Sequence, residues 1–206
     1  MTNQEIMSEI QRTLTMEAES IQGITRWIEQ EEWIRLVRLL HSHKGRIVLT
    51  GCGTSAMAAK KISHSFNCIE RPSFFLAPSD AVHGGLGAVQ EGDVCILVSK
   101  GGNTEELVSL LPALKEKRSV IVAVTEDRDS KLAQAASLVL NVRIDREPCR
   151  FNMLATASTV SVIAAFDAIC IVLMQLTGYT REKFAVIHPG GAVGQRLSRG
   201  KEQETV

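Results

Sequence analysis

Ile47-Val-Leu-Thr-Gly-Cys-Gly-Thr-Ser55 places an apolar, β-branched run directly before a turn of small and hydroxyl-bearing residues. The pattern returns later in the chain, where Val94-Cys-Ile-Leu-Val98 precedes Ser99-Lys-Gly-Gly-Asn-Thr104. A short apolar run, followed by a glycine-containing turn and a helix-length stretch, is typical of a buried parallel strand that leads into a helix. These two stretches therefore predict βα units.

Five apolar runs of this kind lie between residues 47 and 142. The predicted strands are Ile47 to Thr50, Ser73 to Ala77, Val94 to Val98, Val120 to Val124 and Leu138 to Val142. Helix-length stretches of mixed polarity lie between them and include Ala56 to Asn67, Thr104 to Lys117 and Ser130 to Ala136. This alternation predicts an α/β fold with a doubly wound parallel sheet.

The chain outside this region predicts two further parts. Before the first strand, apolar residues at roughly helical spacing predict a packing or subunit-contact face rather than a cofactor site; they are Trp27, Ile28, Trp33, Ile34, Leu36, Val37 and Leu40. We expect N-terminal helices in residues 1–43 that pack on a single domain in residues 44–197. Residues 198–206 are predicted to form a polar, frayed tail.

The composition excludes several classes of partner. The 206 residues include 23 Lys and Arg and 23 Asp and Glu, so the formal net charge is zero and we expect neither a nucleic acid nor a membrane as a partner. The five cysteines are odd in number and form no C-x-x-C pair, which predicts reduced thiols. The polar N-terminus lacks the pattern of a secretory signal, so we expect a cytoplasmic protein.

One strongly apolar stretch lies between residues 151 and 180. Asp167 interrupts it, and four hydroxyl-bearing residues dilute it: Thr156, Ser158, Thr159 and Ser161. This pattern favours a buried helix over a membrane span.

The turns after the first and third predicted strands have the chemistry of a phosphate site. In a doubly wound sheet, ligands lie beyond the carboxyl ends of the strands. Glycine lets the backbone approach a phosphate, first-turn N–H groups attract it, and hydroxyls donate further hydrogen bonds. The candidate binding residues are Gly53, Thr54, Ser55, Ser99, Lys100, Gly102, Asn103 and Thr104.

Other interpretations of these turns are open or excluded. The first turn has Ala56 where G-x-G-x-x-G needs its last glycine, a permitted variant, but no acidic residue follows a second strand, which argues against dinucleotide binding. No G-x-x-x-x-G-K-[ST] run is present. An alternative for the second turn is that Asn103 and Glu106 are only a helix N-cap and its reciprocal partner.

The chain resembles the sugar isomerase (SIS) domain and, within it, the arabinose 5-phosphate isomerases. The resemblance runs from about Lys44 to Leu197. The segments that carry it are Pro72-Ser-Phe-Phe, Asp80-Ala-Val-His-Gly-Gly-Leu-Gly87, Ser99 to Glu106, Glu147-Pro-Cys, Ala157-Ser-Thr and His188-Pro-Gly-Gly-Ala-Val-Gly194.

This resemblance implies a flavodoxin-like, three-layer fold with a five-stranded parallel sheet. It also implies a sugar phosphate at the strand ends, no cofactor, and a homodimer or homotetramer whose subunits share sites. By position, it assigns phosphate binding to Ser55, Ser99 and Thr104. Four further residues fall where the isomerases have important polar groups and are the candidate catalytic residues: His83, Glu106, Glu147 and His188.

Three positions depart from the isomerase pattern. Thr54 replaces a lysine, so a positive charge is lost, although the turn then resembles that of the glucosamine 6-phosphate synthase isomerase domain. Ala77 replaces a histidine that can contact substrate or metal, so we predict no metal. Gly101 replaces a serine beside Lys100, which either restores the charge or is an ordinary solvated lysine.

The predicted activity is the interconversion of an aldose phosphate and a ketose phosphate through a cis-enediol, of the arabinose 5-phosphate and ribulose 5-phosphate type. Glu147 is the first candidate for the base at carbon, because burial there is expected to raise its pKa. Glu106 is either a base or a capping carboxylate. His188 fits ring opening or oxygen protonation, or else a turn near subunit contacts, and His83 either donates to a sugar hydroxyl or caps a carbonyl. The alternative function is a non-catalytic phosphosugar sensor or regulator.

Overall fold

The computed structural model describes residues 1–190 and Gly194. Its five strands are short and correspond to the five predicted runs. They are β1 (Ile47–Gly51), β2 (Ser73–Phe75), β3 (Val94–Val98), β4 (Val120–Thr125) and β5 (Leu138–Asn141). Every predicted strand is confirmed, with ends that differ by no more than two residues.

Helices fill the intervals, and two further helices precede the sheet. In chain order they are α1 (Asn3–Gly23), α2 (Gln30–Ser42), α3 (Gly53–Asn67), α4 (Pro78–Ala81), α5 (Glu105–Val108), α6 (Leu111–Glu116), α7 (Lys131–Ala135), α8 (Ala157–Leu176) and α9 (Arg181–Ile187). Short 3₁₀ turns lie at Ile24–Arg26 and Gly85–Ala88.

The prediction of one helix from Thr104 to Lys117 is wrong, because the chain forms α5 and α6 there. Pro112 lies in the first turn of α6 and has no N–H to donate to the carbonyl of Val108. A proline is tolerated in a first turn but not in a helix interior, so the helix restarts at Leu111.

The sheet is wholly parallel and has the order β2-β1-β3-β4-β5. Leu49 in β1 lies opposite Phe75 on one side and Ile96 on the other. The chain therefore reverses its direction of winding between β1 and β3, and the carboxyl ends of these two strands border a crevice where ligands bind in such folds.

Two apolar cores lie on opposite faces of the sheet, as a three-layer fold requires. On one face, α2, α3 and α8 contribute Leu36, Ile62 and Phe166, each fully buried. On the other face, α5 and α7 contribute Leu107 and Leu132. The predicted doubly wound α/β fold is confirmed.

The N-terminal helices pack on this domain, α1 against α8 and α2 against β5 and α8. Trp27 and Ile28 lie between α1 and α2, so they do not continue the helical face that the sequence predicted. The guanidinium of Arg143 instead lies 4.9 Å from the Trp27 ring centroid. The predicted domain end at residue 197 and the tail at residues 198–206 lie outside the described residues.

Helix α8 is the apolar stretch noted in the sequence, and it is long and apolar enough to cross a membrane by length and composition alone. Its mean hydropathy over the most apolar window is 2.1, and 39% of that window is buried within the protein. One face packs into the core, where Phe166 meets Phe66 edge-on at 6.1 Å. Asp167 forms an ion pair with Lys61 of α3. The predicted buried helix is thus confirmed for this inward face.

Candidate functional site

The turn from β1 into α3 leaves the first N–H groups of a 15-residue helix without a side-chain acceptor. Cys52 is the N-cap residue and makes no side-chain capping bond. Gly53 begins the helix with φ +55°, a left-handed conformation that glycine adopts without cost. Thr54 and Ser55 follow with their hydroxyls in the first turn. The free N–H groups and the helix dipole together suit an anion.

The turn from β3 into α5 is held together by its own side chains. The Ser99 hydroxyl lies 2.8 Å from the Thr104 hydroxyl and accepts from the Gly102 N–H at 3.1 Å. Ser99 is 4% exposed, so its hydroxyl is largely committed to this turn. In the described state, Ser99 and Thr104 shape the turn, and their contact with phosphate stays a prediction.

Gly102 allows this turn to pack against the turn after β4. A side chain there would meet Ser130 Oγ at 2.0 Å and Thr125 Oγ1 at 2.9 Å, and its φ is +65°. Its carbonyl accepts from the Leu132 N–H at 3.0 Å. Glycine is therefore required at this position for both space and conformation.

The capping interpretation of Asn103 and Glu106 is wrong. Helix α5 begins at Glu105 with Thr104 as its N-cap residue, and no side chain caps it. The Asn103 side chain instead donates to the Gly101 carbonyl at 3.1 Å and accepts from the Lys131 N–H at 3.0 Å. Glu106 is exposed and lies near Cys52. Burial is the larger cause of the raised pKa of the Cys52 thiol, and the negative charge of Glu106 raises this pKa further.

Lys100 projects from the second turn to Glu147, which is 1% exposed. Its Nζ atom donates to Glu147 Oε1 at 2.9 Å. The backbone of Lys100 is fixed separately, because its carbonyl accepts from the Thr125 hydroxyl at 2.8 Å and the Glu126 N–H at 2.9 Å. Lys100 is thus not the solvated loop lysine that was one of the two interpretations.

Glu147 also binds the first turn of α8. Its Oε2 atom accepts from the Thr156 N–H at 3.0 Å and from the Ser158 N–H at 3.4 Å, and its Oε1 atom accepts from the Ser158 hydroxyl. The Glu147 N–H donates to Asn152 Oδ1 at 2.6 Å, which fixes the backbone. A buried carboxylate is thereby surrounded by donors.

The expected rise in the pKa of Glu147 is wrong. Burial does raise this pKa, but hydrogen bonds from Ser158, Lys100 and the Thr156 N–H favour the charged form and hold the pKa below its usual range. The sequence showed the burial but not these donors. Glu147 is therefore a carboxylate at neutral pH.

Two cavities flank the first turn of α3. One, of about 100 Å³, is lined by Thr54, Ser55, Lys100 and Ser158, and we call it the strand-end pocket. The other, of about 420 Å³, is lined by Gly53, Lys60, Ala77 and Glu106, and we call it the outer cavity. A ligand bound at this turn would therefore lie close to polar groups from both cavities.

The comparison with known families agrees with this architecture. The SIS domain family matches residues 39–172. The chain belongs to the SIS domain family. The match covers β1 to β5, the two turns and most of α8, and so includes both cavities.

Proteins similar to this chain include named isomerases. The arabinose 5-phosphate isomerase KdsD of Pseudomonas aeruginosa is 35% identical over 195 residues, which is 95% of this chain and 60% of that protein. The arabinose 5-phosphate isomerase KpsF of Escherichia coli O6:H1 is 33% identical over 192 residues, 93% of this chain and 59% of that protein. The chain thus spans about 60% of the length of these curated relatives.

Two solved structures are similar to nearly the whole chain. A candidate sugar-phosphate isomerase from Listeria monocytogenes is 50% identical with a TM-score of 0.91, over 92% of this chain and 100% of that one. A protein from Escherichia coli CFT073 in complex with arabinose 5-phosphate is 30% identical with a TM-score of 0.88, over the same shares.

The two candidate histidines lie away from the strand-end pocket of this SIS domain. His83 is exposed after α4, and its neighbour Val82 lines the outer cavity. His188 ends α9, where its ring stacks on Phe184 at 3.8 Å and its Nδ1 atom lies 2.9 Å from the Phe184 carbonyl oxygen. A side chain at Gly194 would meet the His188 carbonyl at 2.5 Å, so the backbone passes close here.

Ser158 belongs to this site, although the sequence did not predict it there. In the sequence, Ser158 stands out only as one of the hydroxyl-bearing residues of the apolar stretch and as part of the Ala157-Ser-Thr segment of the family resemblance. The available signal was a pair of hydroxyl-bearing residues at the start of an apolar helix, beside strand ends that already carried the two turns. Within residues 1–190 and Gly194, no cluster of three or more metal-ligating side chains comes together.

Proposed function

We propose that the chain is a sugar-phosphate isomerase that interconverts an aldose phosphate and its ketose phosphate through a cis-enediol, with arabinose 5-phosphate as the first substrate to test. The observation that carries this proposal is the ion pair between Lys100 and the buried Glu147, beside the open N-terminus of α3. Relatives named arabinose 5-phosphate isomerases and the similar structure bound to arabinose 5-phosphate support it.

The first turn of α3 would hold the phosphate. Its N–H groups have no side-chain acceptor, and Thr54 and Ser55 line the strand-end pocket with Lys100. A phosphate monoester carries nearly two negative charges at neutral pH, which the helix dipole and a lysine both stabilise. Lys100 then supplies the positive charge that Thr54 does not. The turns around the phosphate would be shaped by Gly53, Gly102 and Asn103.

Glu147 would remove the proton from the carbon next to the aldehyde. It is ionised at neutral pH, as a general base must be, and it lies directly behind Lys100 and Ser158, which line the strand-end pocket. The abstracted proton returns to the neighbouring carbon of the enediol, so the same group acts as base and then as acid. Glu106, which lines the outer cavity, would exchange protons at the sugar oxygens.

We further propose that the site is completed in a homodimer or homotetramer. His83 and His188 do not reach the pocket of their own chain, so they would act on that of a neighbouring copy. The outward face of α8 supports association, because Ile171, Val172 and Leu176 are 56%, 40% and 52% exposed. Burial of apolar surface of this kind stabilises subunit contacts.

Residues 44–197 are proposed as the catalytic unit, with the helices in 1–43 packed on it and no cofactor or metal required. A cytoplasmic location is proposed from the composition, and the five cysteines are all free. Neither nucleic acid nor membrane is proposed as a partner.

A second candidate function is a non-catalytic phosphosugar sensor. It is favoured by the ion pair itself, because a carboxylate with a depressed pKa is a weak base. In a sensor, Lys100 would serve binding, and Glu147 would only hold Lys100 and α8 in place.

A panel of aldose phosphates separates the two functions. The purified chain is incubated with arabinose 5-phosphate and with pentose and hexose phosphate controls, and ketose phosphate is quantified. The isomerase proposal predicts ketose formation from at least one of them, abolished in Glu147→Gln. Saturable binding without any ketose would replace the isomerase by the sensor.

A further inference from the structure

The carboxylate of Glu147 has partners of two kinds. One kind is fixed, because Ser158 Oγ and the N–H groups of Thr156 and Ser158 all belong to the first turn of α8. The other is Lys100, whose Nζ atom ends a flexible side chain that is 38% exposed. The carboxylate would therefore keep three donors if Lys100 moved away.

The first turn of α8 can hold the Glu147 carboxylate by itself. The helix has 20 residues, and its N-cap residue Thr156 makes no side-chain capping bond. The Glu147 carboxylate takes that place, since it accepts from N–H groups that a helix leaves unsatisfied. The positive end of the helix dipole further favours its charged form.

The side chain of Lys100 can turn away from Glu147. Its backbone is fixed to Thr125 and Glu126, so only the side chain is free to turn. The side chain lines the strand-end pocket together with Thr54 and Ser55, where the phosphate is proposed to bind. A phosphate with nearly two negative charges competes well with a single carboxylate for a lysine.

We propose that Ser158 is a positioning residue for Glu147, which keeps the carboxylate oriented and charged when Lys100 turns from it to the phosphate of the ligand. This inference rests on the proposed isomerase site and adds a residue that acts through Glu147. In this arrangement, ligand binding draws the Lys100 ammonium away from Glu147, which is then free to act as the base. Ser158 keeps the Glu147 carboxylate in place during this change.

The charged groups that face Glu147 determine what loss of Ser158 does. Lys100 approaches from the turn after β3, and Glu126 approaches from the end of β4, where burial, and to a smaller extent the charge of Glu147, raise the pKa of Glu126. With a ligand bound and Ser158 absent, fewer donors offset the repulsion between the two carboxylates. The charged form of Glu147 is then less favoured, and its titration moves to higher pH.

The test compares Ser158→Ala with Ser158→Thr and with Ser161→Ala. Ser161 lies on the same helix, is 0% exposed and has no partner for its hydroxyl, so it is the matched control. Turnover of arabinose 5-phosphate is measured against pH, ligand affinity by calorimetry, and folding by circular dichroism.

We expect Ser158→Ala to fold and bind, to lose about 100-fold in kcat, and to show an acid limb of kcat at higher pH. Ser158→Thr restores most of the activity, because it keeps a hydroxyl, and Ser161→Ala behaves as the parent. A folded Ser158→Ala protein with the parent's kcat and pH profile overturns the inference.

A second measurement is independent of turnover. The Glu147 carboxyl carbon is titrated by ¹³C NMR, and its signal is identified by its absence in Glu147→Gln. In saturating inorganic phosphate, we expect a higher midpoint in Ser158→Ala than in the parent and in Ser161→Ala; equal midpoints contradict the role of Ser158. If the parent shows no turnover, the proposed function fails, whereas this titration still decides the inference.

Discussion

The Nζ atom of Lys100 lies 2.9 Å from Oε1 of Glu147, although the two residues are 47 positions apart in the chain. The pair joins the turn after β3 to the N-terminus of α8, beside the turn after β1. Against the effect of burial, hydrogen bonds from Ser158 and then from Lys100 lower the pKa of Glu147. Lys100 also brings a cation into the strand-end pocket.

Replacement of Glu147 by Gln is expected to lower kcat by at least about 100-fold, because proton transfer by a positioned base contributes this much or more. Gln can still accept from Thr156 and Ser158, so the pocket keeps its shape and sugar-phosphate binding persists. Steady-state kinetics and calorimetry measure the two quantities. Unchanged turnover in this variant would remove Glu147 as the base.

Replacement of Lys100 by Gln is expected to weaken sugar-phosphate binding by about tenfold or more, the usual effect of losing a charged hydrogen bond. Thr54→Lys in the same background should recover much of that loss, because it returns a cation to the first turn. Lys115→Gln, on the exposed side of α6, is the control and should bind as the parent does. Equal affinity in Lys100→Gln and the parent would exclude Lys100 from phosphate binding.

Acid is expected to destabilise the protein partly through Glu147. Its folded pKa lies below the unfolded value near 4.5, so its contribution is present above that value and is lost as the pH falls through the folded pKa. The free energy of unfolding, measured in urea between about pH 6 and pH 3, should fall less steeply in Glu147→Gln. Parallel curves would show that Glu147 has no linked contribution.

The two adjacent glycines of the second turn should respond differently to alanine. Gly102→Ala is expected to lower the free energy of unfolding by about 2 kcal/mol or more, because φ is positive and the new Cβ meets Ser130. Gly101→Ala has open space and should stay within about 0.5 kcal/mol of the parent. Urea denaturation compares them, and equal losses would be inconsistent with the close packing of this turn.

Cys149 should react with iodoacetamide before the buried thiols. N–H groups of Leu154 and Met153 lower the pKa of Cys149, whereas burial raises the pKa of Cys95 to about 11 and that of Cys170 to about 12. Mass spectrometry after timed alkylation at about pH 7.5, below the ordinary thiol pKa, gives the order. Faster labelling of Cys95 or Cys170 would contradict the described loop.

The sequence was sufficient to predict the sheet, but it did not predict the hydrogen-bond partners of the buried Glu147 carboxylate. Runs such as Val94 to Val98 are apolar on both faces, and this property is visible without knowledge of the fold. Hydrophobic pattern does not show which donors the loop before α8 brings to Glu147, so the direction of its pKa was wrong. Pro112 is a local signal for the break between α5 and α6, although the length of the stretch from Thr104 to Lys117 favours a single helix.

Solvent exchange at the substrate carbon tests the central claim most directly. The chain is incubated with arabinose 5-phosphate in heavy water, and proton NMR follows the hydrogen on the carbon next to the aldehyde. Isomerisation through an enediol predicts loss of this signal and appearance of the ketose phosphate, both absent in Glu147→Gln. Binding of the sugar phosphate with this hydrogen fully retained would contradict the account.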